Sequence, residues 1–351
     1  MLKKWRAEKE RNNKMNQKIK LAINGFGRIG RSAFKIAFEK FSDQIEIVGI
    51  NDLADNVTLA ALLNHDSNYG PWKYRAQADD QNLIIEGKKI LALAEKDPSR
   101  LPWKKLGVDV VLECTGVFTE KKQAGLHIKA GAKKVIISAP SKGDNPAPTY
   151  VLGVNETDDE DIINNGSCTT NCISPIMKVL EENLGVEKAF MTTVHAYTAD
   201  QSLQDAPHQD LHRARAATEN IVPTTTGAGQ ATIETIPSLK SKFDGMAIRV
   251  PVPVGSISDI TALVKRDTTV EELNEIFVQA SKEKRFQGIL TTTDEPIVST
   301  DIIGSSYSAI VDLGLTRVVA GNLVKIFAWY DNEYGYSTRL VEQAMIIGKK
   351  N

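Results

Sequence analysis

The first half of the chain alternates short apolar runs with segments of helical spacing. Residues 18–25, 45–52 and 109–116 are apolar runs bordered by glycine or polar residues, a pattern that predicts buried strands. Residues 28–41 place one apolar face at helical spacing, formed by Ile29, Ala33, Phe34, Ala37, Phe38 and Phe41. Residues 57–66 predict a second helix, and residues 82–95 predict a hairpin around a glycine.

Two further apolar runs, at residues 129–140 and 149–155, predict more strands of the same sheet. Strands that alternate with helices over about 150 residues favour a parallel, doubly wound sheet. The fold class predicted for this half is therefore α/β.

The second half has longer β runs with one covered face, at residues 188–198, 245–265 and 318–333, which predict a mostly antiparallel sheet. A helix should precede them at 169–185, and another should begin at a capping box formed by Thr268 and Glu271. Together these elements predict an α+β domain. We expect a basic extension at 1–17, a first domain at 18–167 and a second domain at 168–334.

Composition and charge narrow the class of protein. The 351 residues are 42% hydrophobic and 25% charged, without an apolar run of the ~20 residues that cross a bilayer. No signal-peptide core follows the first residue, so we expect a cytoplasmic protein without a membrane partner. The first 20 residues carry eight Lys or Arg and two Glu. We interpret them as a disordered extension, and nucleic acid is not expected as the main partner.

A glycine motif carries the cofactor prediction. Gly25, Gly27 and Gly30 follow the first strand and open the first helix as G-x-G-x-x-G, and Asp52 ends the second strand. This context is typical of a Rossmann-type dinucleotide-binding domain, with the diphosphate at the helix start. Asp52 would accept hydrogen bonds from the ribose and repel a 2′-phosphate, and residues 53–55 offer no Arg or Lys. NAD is therefore preferred, with NADP the second choice.

Two residues suggest nucleophilic chemistry. Cys168 stands at the start of a predicted helix, where the helix dipole lowers the pKa of a thiol. His195 ends a β run among hydroxyl side chains and could serve as the base. Cys114 and Cys172 are interpreted as packed thiols, and the C-x3-C spacing of Cys168 and Cys172 does not match a zinc site. No metal is expected.

Arginines and hydroxyl side chains beyond the cysteine motif suit an anionic substrate. Arg213 and Arg215 precede a threonine run at 224–226, and Arg249 lies in an apolar strand where a guanidinium needs a partner. Arginine forks and backbone N–H groups suit phosphate. Structural salt bridges are the alternative explanation.

Nine segments carry a family resemblance that runs from about Lys18 to the end of the chain. In order they are INGFGRIGR, IND, ISAP, SCTTNC, VHAYTADQ, RARAA, NIVPTTTGA, RVPVP and WYDNEYGYS. The chain resembles the phosphorylating glyceraldehyde-3-phosphate dehydrogenases, and SCTTNC is the most specific of these segments.

The resemblance implies a reaction. Cys168 would attack the aldehyde of glyceraldehyde 3-phosphate, and His195 would hold the thiolate as an ion pair and then act as base. Hydride would pass to NAD, and inorganic phosphate would release the thioester as 1,3-bisphosphoglycerate. The Cys168 N–H and His195 would stabilise the oxyanion.

The resemblance also implies domain roles, binding roles and an assembly. Residues 18–167, completed by a C-terminal helix at 335–351, would form the NAD-binding domain, and residues 168–334 would form the catalytic domain. Thr198, Arg213 and Arg249 would hold the substrate's C3 phosphate, and the attacking phosphate would contact Ser167, Thr169, Thr226 and Gly227. The remaining cofactor contacts would come from Phe26, Arg28, Ile29, Thr115, Phe118, Ser138, Asn332 and Tyr336, beside Gly25, Gly27, Gly30 and Asp52. Family members are usually homotetramers, in which the loop at 198–220 packs at a subunit interface near the cofactor.

Some features depart from the family, and other functions remain open. His212 replaces a common arginine, and Ala206 replaces a leucine whose loss could leave room for a 2′-phosphate. The fold could act on another small aldehyde, such as erythrose 4-phosphate or aspartate semialdehyde. A silent NAD-binding protein, or one that binds nucleic acid through the basic extension, is a third possibility.

Overall fold

A computed structural model describes residues 18–156 and 159–349, so the predicted basic extension lies outside the described residues. Within that part of the chain, no helix is long and apolar enough to cross a membrane. The α-helices, numbered α1 to α8, are Arg28–Lys40, Asn56–Asn64, Trp103–Leu106, Lys121–Lys129, Cys168–Asn183, Ala228–Thr235, Val270–Lys282 and Tyr334–Gly348.

The first sheet has eight strands. Strands are numbered by their position in the chain. The sheet contains β1, β2 and β5 to β10, which are Ile19–Asn24, Ile45–Asn51, Ala76–Ala78, Asn82–Ile85, Lys88–Leu93, Val110–Glu113, Lys134–Ile137 and Ile162–Asn164. Strands β3 (His65–Asp66) and β4 (Gly70–Pro71) pair only with each other. The order is β10-β9-β8-β1-β2-β7-β6-β5, parallel except for the hairpin pairs β5–β6 and β6–β7. The predicted doubly wound sheet and the hairpin are confirmed.

Both faces of this sheet are covered, as its continuous apolar strands require. Leu21 and Ile23 of β1 enter one apolar core, whereas Ala22 between them enters a second core on the opposite face. The C-terminal helix α8 packs against α1, and its Leu340 and Ile347 belong to the same core as Leu21. The chain therefore returns to the first sheet at its end.

One predicted strand is wrong, and a neighbouring strand replaces it. The run at 149–155 turns back on itself, because the Asn155 side chain donates to Thr149 O at 2.9 Å and accepts from Val151 N at 2.9 Å. Gly153 lies within this turn at φ 81. The edge strand is instead Ile162–Asn164, which pairs in parallel with β9.

The second sheet contains β11 to β18, which are Val186–Ala196, Val222–Thr225, Phe243–Val250, Ser256–Val264, Leu290–Thr293, Ala309–Asp312, Arg317–Val319 and Leu323–Tyr330. Their order is β12-β13-β11-β14-β18-β16-β15, and β17 pairs with β18. All pairs are antiparallel except β11–β13 and β15–β16, so the mostly antiparallel prediction is confirmed. Helix α5 buries Cys172, Ile176 and Leu180 in the core of this sheet.

The predicted capping box of α7 is shifted by one residue. Thr269 is the N-cap and accepts from Glu272 N at 3.2 Å, while Thr268 Oγ1 donates to the Glu272 carboxylate at 2.8 Å. The backbone N–H of Thr268 donates to Gly321 O at 2.7 Å. Because this bond ties Thr268 to the turn before β18, the helix begins one residue later than the sequence pattern suggested.

Candidate active site

The glycine motif forms a tight turn between β1 and α1. Gly25 has φ 88, and a Cβ there would lie 2.6 Å from Thr115 N. A Cβ on Gly30 would lie 2.1 Å from Gly25 O, so the helix start packs directly on the turn. Gly27 differs, because a Cβ there meets nothing within 4 Å and Gly27 lines an open cavity. The motif therefore leaves space where a diphosphate could approach the backbone.

The cavity above this turn has a volume of about 410 Å³. Five of the predicted cofactor residues line it, namely Gly25, Gly27, Asp52, Thr115 and Phe118. The sequence pattern did not indicate the other lining residues, which are Asn24, Asn51, Leu53, Glu95, Lys96, Cys114 and Val117. All of these stand at or just beyond the carboxyl ends of β1, β2, β7 and β8. The rule that ligands bind at that edge of an open α/β sheet could have found them.

Asp52 is fixed by the turn that it faces. Its Oδ2 accepts from Phe26 N at 2.7 Å and its Oδ1 accepts from Ala54 N at 3.0 Å. The ring of Phe26 is buried against Phe34, with ring centroids 5.3 Å apart, so Phe26 contributes to the motif through its backbone. A carboxylate accepts about four hydrogen bonds, which leaves Asp52 capacity for ribose hydroxyls.

The remaining predicted cofactor residues surround the turn or lie toward the second sheet. Arg28 donates to Asp66 at 2.8 Å and to Glu333 at 2.9 Å, and Ile29 packs against the first core. Ser138 follows β9, and its N–H donates to Glu113 O at 2.9 Å. Asn332 Oδ1 accepts from Gly255 N at 3.0 Å, and the buried Tyr336 donates its OH to Gly166 O at 3.1 Å.

Two glycine substitutions should separate folding from cofactor binding. Gly27→Ala fits the backbone, at φ −70, but its methyl group projects into the cavity. We expect the Kd for NAD to rise about tenfold or more, with the unfolding free energy changed by less than about 0.5 kcal/mol. Gly30→Ala clashes with Gly25 O and should lower that free energy by at least about 2 kcal/mol. Urea unfolding measures the unfolding free energy, and NAD titration measures the Kd. Equal losses of unfolding free energy in the two variants would contradict the separate roles assigned to Gly27 and Gly30.

Cys168 is the first residue of α5, and His195 lies at the end of β11. Ser167 caps the helix in a capping box with Thr170, which fixes the backbone around Cys168. The Cys168 Sγ lies 3.3 Å from His195 Nε2, within hydrogen-bonding distance for sulfur. The structure thus brings together the predicted nucleophile and base from two separate elements.

Arg249 stands beside His195 because their strands pair in parallel with these two residues in register. Its Nη1 lies 2.5 Å from His195 Nδ1 and donates to Ala196 O at 3.1 Å. Its Nε is buried without a hydrogen-bond partner among the described residues. A buried guanidinium with an unpaired donor suits an anionic group.

Arg213 is held differently. Its guanidinium pairs with Asp200 and donates to Thr224 Oγ1 at 2.9 Å and to Thr225 O at 3.2 Å. Its charge nevertheless acts on Arg249 and helps to lower the pKa of that guanidinium, after the effect of burial. Two arginine charges therefore lie near His195, and Arg249 has one N–H donor without a partner among the described residues.

Burial dominates the pKa values of the reacting pair. It raises the pKa of Cys168 above its ordinary 9.0, although the Arg249 charge and hydrogen bonds with Thr169 act in the opposite direction. Burial, reinforced by Arg249, lowers the pKa of His195 to about 3. The sequence analysis expected a lowered thiol pKa and an ion pair. That expectation considered the helix start and omitted desolvation, which outweighs it.

The predicted phosphate residues lie at the starts of two helices and after the end of a strand. Ser167 and Thr169 flank Cys168, and Thr169 Oγ1 lies 2.9 Å from the buried Tyr330 OH. Thr226 and Gly227 stand at the start of α6, where Thr226 Oγ1 accepts from Ala228 N at 3.2 Å. Thr198 follows the end of β11, and its N–H donates to the Gln201 side chain at 3.3 Å.

Comparison with known proteins bears on the family. The family model for the NAD binding domain of glyceraldehyde 3-phosphate dehydrogenase matches residues 19–121, and the C-terminal domain model matches residues 167–332. The chain belongs to the glyceraldehyde-3-phosphate dehydrogenase family. The glyceraldehyde-3-phosphate dehydrogenase of Thermotoga maritima is 52% identical over 333 residues, covering 94% of this chain and 99% of the relative. The enzyme of that name from Borreliella burgdorferi is 51% identical, covering 94% and 100%.

Membership in the glyceraldehyde-3-phosphate dehydrogenase family confirms the predicted oxidoreductase class, the Rossmann-type NAD-binding domain and NAD as cofactor. The relative from Streptomyces coelicolor carries the same name and is 49% identical, covering 95% of this chain and 99% of the relative. These names do not favour the alternative substrates erythrose 4-phosphate and aspartate semialdehyde. The proposed nucleic-acid role of the basic extension lies outside the described residues.

The other two cysteines are not part of the Cys168–His195 contact, and the half-buried Cys114 lines the cavity above the glycine turn. Cys172 is fully buried one turn after Cys168, and burial raises its pKa. Burial also raises the pKa of Cys114 to about 12. Within residues 18–156 and 159–349, no group of three His, Cys, Asp or Glu side chains is arranged to hold a metal ion.

Proposed function

We propose that the chain oxidises glyceraldehyde 3-phosphate to 1,3-bisphosphoglycerate with NAD and inorganic phosphate, through a thioester on Cys168. The observation that carries this proposal is the 3.3 Å contact between Cys168 Sγ and His195 Nε2, beside the unpaired donor of Arg249. A thiol, a base and a buried cation are the groups that covalent oxidation of a phosphorylated aldehyde needs.

Proton transfer between Cys168 and His195 starts the reaction. With a pKa of about 3, the imidazole of His195 is neutral at neutral pH. With its Nδ1–H donated to Ala196 O at 2.6 Å, its free Nε2 accepts the thiol proton as sulfur attacks the aldehyde carbon. The proton moves to the former carbonyl oxygen, which gives a thiohemiacetal. The Cys168 N–H, at the start of α5, has no partner within its own helix and can donate to that oxygen during the attack.

Oxidation converts the thiohemiacetal to a thioester. His195 removes the hydroxyl proton while the carbon loses a hydride, which leaves the acyl group bonded to sulfur. NAD, when bound, supplies the acceptor for this hydride. Inorganic phosphate then attacks the acyl carbon, the thiolate leaves, and His195 returns the proton to Cys168. The proton of the attacking hydrogen phosphate passes to solvent, so the net products are the acyl phosphate, NADH and one proton.

Two groups of residues would hold the two phosphates. We assign the C3 phosphate to Thr198, Arg213 and Arg249. The unpaired Nε of Arg249 supports this assignment most directly, since Arg213 is already paired with Asp200. The attacking phosphate would contact Ser167, Thr169, Thr226 and Gly227, which lie at the starts of α5 and α6. Helix starts present N–H groups that favour anions.

The cofactor would lie in the 410 Å³ cavity and extend toward the second sheet. The open space at Gly27 suits a diphosphate, and the spare acceptors of Asp52 suit the ribose. Asn332 and Tyr336 would then border the nicotinamide. Tyr336 donates to Gly166 O, just before Cys168, and Asn332 accepts from Ser256 Oγ, which in turn accepts from Ala196 N beside His195. Residues 18–167 with 335–351 would form the NAD-binding domain, and 168–334 the catalytic domain.

A homotetramer and a cytoplasmic location complete the proposal. Leu203 and Leu211 of the loop at 198–220 are 66% and 79% exposed, although leucine is more often buried. A subunit interface across this loop would cover both side chains. Sedimentation equilibrium of the native chain measures the assembly.

The reaction has a requirement that a simple assay can test. We expect NADH to form only when NAD, glyceraldehyde 3-phosphate and inorganic phosphate are all present, because the thioester needs phosphate for turnover. Without phosphate, one NADH per active site should appear in a burst and then stop. Steady turnover without phosphate would contradict the proposal. NADP and erythrose 4-phosphate in parallel assays test the second-choice cofactor and substrate.

A further inference from the structure

A buried hydrogen-bond network lies directly beneath the cofactor cavity. Its members are Asn24 of β1, Asn51 of β2, Trp103 of α3, Glu113 of β8 and His127 of α4, each at most 5% exposed. Asn24 and Asn51 also line the cavity. Buried polar groups are costly unless they are fully paired, so a network of five needs an explanation.

Glu113 is the centre of the network. Its Oε2 accepts from Asn24 Nδ2 at 2.6 Å and contacts His127 Nε2 at 2.9 Å. Its Oε1 accepts from Thr115 N at 2.8 Å and from the Thr115 hydroxyl. The carboxylate therefore satisfies four donors from three parts of the fold.

Trp103 fixes the tautomer of His127. The Trp103 Nε1–H lies 2.9 Å from His127 Nδ1, and an indole nitrogen can only donate. Nδ1 must therefore accept, so the proton of the imidazole is on Nε2 and points at Glu113. Trp103 then donates to His127, and His127 donates to Glu113, so each donor in this series faces an acceptor.

The network reaches two walls of the cavity. On one side, Glu113 holds Thr115, whose Oγ1 in turn accepts from Val117 N at 3.0 Å. On the other side, Asn51 donates to Asn24 Oδ1 at 2.7 Å, and its amide exchanges two bonds with the Glu95 backbone, at 2.8 and 2.9 Å. Both wall segments are loops, and loops keep their position only when other groups hold them.

We propose that Glu113, His127 and Trp103 are positioning residues for NAD, which set the distance between the Thr115 and Glu95 walls without touching the cofactor. The inference rests on the assignment of NAD to this cavity. Preorganised walls bind a ligand more tightly because less ordering occurs on binding. Loss of the network should therefore weaken cofactor binding and leave the chemistry at Cys168 unchanged.

Glu113→Gln tests the centre of the network. If the glutamine oxygen keeps Thr115, its amide faces two donors, Asn24 Nδ2 and His127 Nε2, and His127 cannot switch tautomer while Trp103 donates to Nδ1. We expect the Kd and KM for NAD to rise about tenfold, with kcat and the KM for glyceraldehyde 3-phosphate within about twofold. An unchanged Kd for NAD would overturn the proposal.

Trp103→Phe provides the rescue. Without the indole N–H, His127 can carry its proton on Nδ1 and accept from the glutamine amide at Nε2. Only the conflict with Asn24 then remains, so the effect of Glu113→Gln on the Kd for NAD should fall from about tenfold to about threefold in the Trp103→Phe background. A tenfold defect that persists in the double variant would refute the tautomer assignment. If Glu113→Gln does not fold, two substitutions of His127 make the same comparison. His127→Gln retains a donor and an acceptor, whereas His127→Leu retains neither.

Asn64→Asp is the matched control. Asn64 is buried in the same domain, and its side chain bonds the backbone of Ala76 at 2.7 and 2.8 Å, away from the cavity lining. Its replacement also sets two like groups against each other, so it should lower stability while the Kd for NAD stays within about twofold. A tenfold rise in the Kd for NAD of Asn64→Asp would show that any loss of buried hydrogen bonds in this domain weakens NAD binding. That result would overturn the positioning role. Native chain that does not bind NAD would instead contradict the cofactor assignment itself.

Discussion

Cys168→Ala is expected to form NADH at least about 10³-fold more slowly than the native chain, because no other group can carry the acyl intermediate. The contact of 3.3 Å with His195 makes Cys168 the thiol with a base in reach. Since the cavity that we assign to NAD is lined by the carboxyl ends of the first sheet's strands and not by Cys168, the variant should bind NAD with an unchanged Kd. A coupled assay at saturating substrate and an NAD titration measure the two properties.

Cys172→Ala is the matched control, since it removes a thiol from the same helix one turn later. Cys172 is fully buried in the core of the second sheet, so the change should cost about 1 kcal/mol of stability and leave kcat within a few-fold. Mass spectrometry without phosphate should find the acyl group on Cys168 in the control variant. Turnover by Cys168→Ala, or an acyl group on another residue, would refute the nucleophile assignment.

The sequence was sufficient for features that depend on short stretches of chain. The spacing of Gly25, Gly27 and Gly30 between a strand and a helix predicts a local turn, and the structure has that turn. The positions of Cys168 at a helix start and of His195 at a strand end are likewise predictable from the local pattern. Each of these features involves fewer than about 20 consecutive residues, where periodicity and turn chemistry act.

Features that depend on distant pairing were not predictable in the same way. Arg249 lies beside His195 only because β11 and β13 pair in parallel with that register, and a shift by one residue would turn its side chain to the other face. The run at 149–155 fails as a strand because of a side-chain bond from Asn155, which hydropathy does not reveal. The pKa of Cys168 is raised because desolvation depends on the whole surrounding core.

His195→Asn should lower kcat by about 10²- to 10⁴-fold, since an amide can donate a hydrogen bond but cannot take a proton from the thiol or the thiohemiacetal. The pH profile distinguishes loss of the base from loss of structure. In the variant, reaction requires thiolate, and the raised pKa of Cys168 means that the rate should climb through pH 9. The native chain should be much flatter over the same range, because its base has a pKa of about 3. Parallel profiles would contradict the role of base.

The same substitution has a consequence for stability in acid. The folded chain lowers the pKa of His195 from 6.5 to about 3, so between these values the unfolded chain binds the extra proton. His195 therefore contributes stability that is present above pH 6.5 and is lost as the pH falls toward 3. Between pH 7 and about 4.5 this loss amounts to about 2 to 3 kcal/mol. The native chain and His195→Asn share all other titrating groups. Urea unfolding at fixed protein concentration should therefore show that His195→Asn loses less unfolding free energy between pH 7 and 4.5 than the native chain, by about 2 to 3 kcal/mol. An equal loss in both proteins would mean that His195 is not held unprotonated in the folded state.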